Sequence, residues 1–124
     1  MTDDDFLARF EAGSLEHFSH EDHLRTAFAY ARRGGVEGAV KGARRIRELA
    51  AKLGAPGKYH ETLTVAWARV VGHHATEDES FGEFLRRQPQ LLRRDLMSAH
   101  YSSERLFSEE ARASFVEPDL LPLP

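Results

Sequence analysis

Apolar residues recur at helical spacing along most of this chain, and capping residues and glycines divide the pattern into segments. Phe6, Leu7 and Phe10 share one side of a first short helix over about Asp3 to Ala12, which Gly13 closes and which reads as a lid or clasp. Ser19 with Asp22 three positions on has the form of an N-cap, after which Leu24, Ala27, Phe28 and Ala31 follow at helical spacing until Gly34 and Gly35 stop the helix. A third helix is predicted from about Val36 to Leu53. It turns Val36, Ala39, Val40, Ala43, Ile46, Ala50 and Leu53 inward and Lys41, Arg44, Arg45 and Lys52 outward. Gly54 ends it, a loop around Pro56 follows, and a fourth helix from about Tyr59 to His74 buries Leu63, Trp67, Val70 and Val71 at the centre of the core.

Ser80 and Glu83 make a capping box for a short helix that Gln88 and Pro89 interrupt. Pro89 then suits the first position of a further helix carrying Leu92, Leu96 and His100 on one side, and Ser108 caps a last turn or two through Phe115. The tail EPDLLPLP, with three prolines, cannot continue a helix and is expected to be extended, its leucines packed on the bundle or free. No segment alternates convincingly as a strand. The fold class is therefore all-α, a compact bundle of about five to seven helices. It forms one domain over residues 1–124, with an N-terminal helix and loop at 1–18 and an extended Pro-rich tail at 116–124.

Composition adds exclusions. With 17 basic and 20 acidic residues the net charge is −3, too acidic to draw the protein onto nucleic acid or an anionic membrane. The basic stretch KGARRIR spreads around the outer face of a helix and reads as a solvated face. Cysteine is absent, so any metal must use nitrogen and oxygen ligands, and thiolate chemistry is excluded. The start MTDDDFLARFEAG lacks the basic and apolar regions of an export signal and no long apolar run occurs, which leads us to expect a cytoplasmic protein with no membrane partner.

Candidate chemistry rests on three of the seven histidines. His20 and His23 lie within about 60° of each other on one helix and flank its apolar stripe, and His60 sits in the apolar stripe of the fourth helix. If successive helices alternate up, down and up, all three imidazoles meet in one layer. Burial and helix N-termini both favour neutral imidazole, the form that binds metal, so His20, His23 and His60 are the predicted ligands of a divalent transition metal (Fe, Zn, Cu or Ni). Glu61 points about 100° from His60 and is expected to act as general base or to support a ligand from the edge. The alternative is that the histidines cap helices and satisfy core hydrogen bonds. His100, Arg25 and Arg47 are further candidates for the site. His17, His73 and His74 are left outside it.

The segments FSHEDHL, KYHETLT, HYSSERL and PDLLPLP together resemble a family of small bacterial helical proteins. The resemblance runs over nearly the whole chain. It matches the histidine pair at His20 and His23, the run Tyr59, His60, Glu61, Thr62, and the Tyr-Ser step at Tyr101 and Ser102, and it leads us to expect an aromatic residue where this chain has His100. It implies a shared site and supplies no reaction for it.

These readings combine into a buried His-rich metal site acting on a small molecule, with Glu61 as base, Tyr59, Thr64 and Tyr101 lining the pocket, and hydrolytic or oxygen chemistry equally open. Two alternatives stand beside it: metal-free acid–base catalysis by the same residues, and a non-catalytic binding module whose histidines are structural. An apolar surface around Phe81, Phe84 and the tail prolines, if exposed, would favour a homo-oligomer or another partner.

Overall fold

The long amphipathic run after Ser19 does not form one rod. In the computed structural model, which describes residues 1–124, helix α2 (His20–Arg44) leaves helical geometry at Gly34 and Gly35. Gly35 takes φ 63°, a conformation that L side chains avoid, and here the chain turns back on itself. The two arms then pack so closely that a Cβ at Gly42 would sit 2.1 Å from the Tyr30 ring. The predicted stop at the two glycines is therefore a helical hairpin.

Helix α1 (Asp3–Ala12) has the predicted limits and buries Phe6, Leu7 and Phe10. Helix α3 (Ile46–Lys52) is separated from α2 at Arg45, so the predicted helix from Val36 to Leu53 is broken in two, and Val36 and Leu53 are exposed. Helix α4 (Glu61–His74) is central as expected. It is buried on nearly every face, including Thr62, Thr64, Ala66, Trp67, Val70 and Val71. The second arm of α2 runs antiparallel to α4, since Arg44 meets Glu61 near the start of α4 and Val36 meets Gly72 near its end.

Helix α5 (Phe81–Arg87) has the predicted Ser80 and Glu83 capping box. Phe81 and Phe84 are buried against Phe28, so they offer no apolar surface to a partner. The stretch after Pro89 is two 3-10 turns, Pro89–Leu92 and Leu96–Ala99, in place of one helix. Leu91 is buried and Leu92 is out in solvent. Short helices α6 (Ser103–Leu106) and α7 (Glu109–Ala113), capped by Ser102 and Ser108, complete an all-α fold with no strand. No helix is long and apolar enough to cross a membrane.

The extended tail is tied down at several points. The Thr62 hydroxyl donates to Ser114 O and accepts from Val116 N. The Tyr101 hydroxyl donates to Val116 O at 2.7 Å, and Asp119 accepts from both the backbone N–H and the hydroxyl of Ser102. His100 contributes its backbone carbonyl to Leu120 N and its Nδ1 to Leu121 O.

Candidate functional site

A cavity of about 630 Å³ opens between the start of α2, α3, the Pro56–Lys58 turn and the first half of α4. Its wall is mainly apolar, with Phe18, Ile46, Leu49, Leu53, Leu63 and Trp67. Its polar groups are His20, His23, Tyr59, His60 and Thr64, with His17, Ser19, Lys58 and Arg94 completing the lining, so no carboxylate faces it. The three predicted histidines do share one cavity, but at different depths. His20 packs edge-on against Trp67, ring centroids 4.6 Å apart, and Trp67 lies seven residues beyond His60, about 10 Å along α4. The two helices do not begin level, and this separates the imidazoles.

Each imidazole is differently engaged. His60 is the N-cap of α4: Nδ1 accepts from Leu63 N at 3.1 Å, which leaves the proton on Nε2, and Nε2 donates to Leu106 O at 2.7 Å. Both nitrogens are thereby used on backbone, and burial holds its pKa below the ordinary histidine value. His20 lies 2.9 Å through Nε2 from Leu91 O, and since a carbonyl only accepts, that nitrogen carries hydrogen. His23 packs its ring edge on Phe18 at 4.8 Å and makes no hydrogen bond to the protein, its nitrogens opening onto the cavity. Burial, reinforced by nearby His20, pulls its pKa down to about 4.

These contacts decide the fit of the predicted metal. A three-histidine site needs one free lone pair on each ring, and His60 has none in this arrangement. No three His, Cys, Asp or Glu side chains lie together in a way that could hold a metal ion.

Glu61 turns away from the histidines. Oε1 accepts from the Tyr59 hydroxyl at 2.6 Å and Oε2 from Arg44 Nε at 2.8 Å, so the carboxylate serves a separate hollow on the far side of Tyr59 and cannot act as base for the cavity. The Tyr59 ring is the wall between the two hollows, and burial together with Glu61 raises its hydroxyl pKa. Thr64 lines the cavity as expected. Arg47 stacks over the Tyr59 ring, 4.9 Å from its centroid, on the Glu61 side.

Three candidates lie elsewhere. Tyr101 and His100 hold the tail, the former fully buried. Arg25 is sandwiched between Phe6 and Phe81, at 5.3 and 4.9 Å from their centroids, with its Nε buried and unpartnered. Sequence reasoning missed Phe18, Lys58 and Arg94, and it left out His17, which precedes α2 and lines the cavity. Arg94 gave no signal, because the helix expected around it is absent and its direction follows from the 3-10 turns. It also missed the Arg44–Glu61 pair, since Arg44 falls on the outward face of its helix. No family model matches this chain, and neither a curated protein nor a solved structure matches it.

Proposed function

We propose that this protein is a small-molecule binding protein whose ligand occupies the histidine-lined cavity, presenting an apolar body to Leu49, Leu63 and Trp67 and a hydrogen-bonding group to His23. The observation that carries the reading is a half-buried imidazole with no protein partner, facing a mainly apolar hollow of about 630 Å³, a volume within the usual range for ligand sites. A neutral imidazole offers one donor and one acceptor, and with neither taken by the protein both are open to a ligand's hydroxyl or carboxylate. The absence of carboxylates from the lining, with Lys58 and Arg94 on it, favours an aromatic or branched carboxylic acid over an amine.

Binding is favoured over acid–base catalysis by the same residue. A general base works best with a pKa near the operating pH, and at about 4 His23 is too weak a base to hold a proton at neutrality.

Isothermal titration of 1-naphthoate and of 1-naphthol into wild type and Ala50→Phe, which fills the cavity from α3, tests the reading. Saturable one-site binding of at least one compound, weakened tenfold or more by Ala50→Phe, is expected. No heat from either would overturn it. A near-stoichiometric transition metal in untagged wild type that is lost in His23→Ala would move the reading to a metal site.

A further inference from the structure

The hollow beyond Tyr59 has its own chemistry and does not depend on the histidine cavity. It holds about 370 Å³ and is bounded chiefly by Arg44, Arg47, Tyr59, Glu61, Ser114 and Phe115. Two guanidinium groups face a single carboxylate there. Glu61 is filled: its oxygens accept from Tyr59 at 2.6 Å and from Arg44 Nε at 2.8 Å. The arginines are not filled. Arg44 donates to the protein only through Nε, and Arg47 Nη2 stands 3.9 Å from Glu61, beyond hydrogen-bond reach, with its planar group braced on the Tyr59 ring. Their side chains are 50% and 63% exposed, so the free N–H groups face the hollow and solvent. Arg45, between them, turns away to Glu11 and Tyr30.

We propose that Arg44 and Arg47 form a binding site for a small oxyanion, a phosphate or carboxylate group, with Glu61 and Tyr59 as positioning residues. The buried carboxylate offsets repulsion between the two cations and holds Arg44 through Nε, the Tyr59 ring braces Arg47, and one positive charge remains in excess. A planar guanidinium presents two parallel N–H groups to an oxyanion, which a lysine in either place would not.

Titration with inorganic phosphate and separately with succinate, at constant ionic strength so that general screening is unchanged, tests the site. Saturable one-site binding of either anion is expected, weakened tenfold or more in Arg47→Gln and in Arg44→Gln and unchanged in Arg45→Gln. Arg44→Gln also leaves buried Glu61 short of a partner and can fail to fold; Arg47→Gln removes no hydrogen bond from Glu61, replaces a side chain that is 63% exposed, and keeps the test intact. Binding of phosphate alone or of succinate alone supports the site and names its ligand. Absence of saturable binding, or equal weakening by Arg45→Gln, would overturn it, the second result pointing to diffuse surface charge.

Discussion

His23 links burial to pH. Unfolded, a histidine titrates near 6.5; folded, burial holds His23 at about 4, so between those values the unfolded chain binds more protons and stability falls as pH falls. The stabilisation is fully present above about 6.5 and is lost through the window down to about 4, on the order of 3 kcal/mol for the full shift. Urea titrations at a series of pH values are expected to show this slope in wild type and a shallower one in His23→Gln. Part remains, because His60 is shifted in the same direction. His60→Ala removes an N-cap and strands the Leu106 carbonyl, and should cost about 2–4 kcal/mol in the same assay. An unchanged denaturation midpoint would show that His60 is not structural. The sequence placed these histidines near helix starts and on inward faces; His60 is buried there and His20 and His23 are half-buried. It could not say which nitrogen was engaged, because the partners, Leu91 and Leu106, are backbone carbonyls far along the chain that carry no side-chain signal.

Among the elements, periodicity located α1, the start of α2, α4 and α5, where caps and apolar stripes agree. It failed where tertiary contacts override local preference. The break at Arg45 lies inside a run of good helix formers, and the 3-10 turns after Pro89 follow from burial of Leu91 in place of Leu92. The α2 hairpin supplies a test of sign. Gly42→Ala improves helix propensity by about 1 kcal/mol, yet the new Cβ would meet the Tyr30 ring, so the variant is expected to be less stable by about 1–3 kcal/mol. A rise in Tm would contradict the close packing of the two arms. The tail gives another. Tyr101→Phe strands the Val116 carbonyl and should cost about 1–2 kcal/mol, with faster amide exchange confined to the tail and α6 and no effect on ligand binding. The motifs around Tyr101 and Pro118 resembled parts of a site and prove to be the two halves of a clasp.

Across the whole molecule, one core joins α1, α2, α3, α4 and α5 to the segments around Leu91, Met97, Tyr101 and Val116, and two hollows lie on either side of Tyr59. The division of labour between them explains why a single predicted site came apart. The sequence pattern puts His60 inside the helix, about 100° from Glu61; in the fold His60 is the extended N-cap (φ −134°, ψ 110°) and Glu61 the first helical residue, and the two side chains go to opposite sides of the tyrosine. Trp67 reports directly on the larger hollow, being the only tryptophan of the chain and part of the cavity wall. Its indole N–H gives one identifiable peak in a nitrogen–proton correlation spectrum. On titration with 1-naphthoate that peak is expected to shift saturably, together with the ring resonances of His20 and His23, and to stay in place in Ala50→Phe. An indole peak that does not move in wild type, or that moves equally in the filled variant, would contradict a ligand site in this cavity.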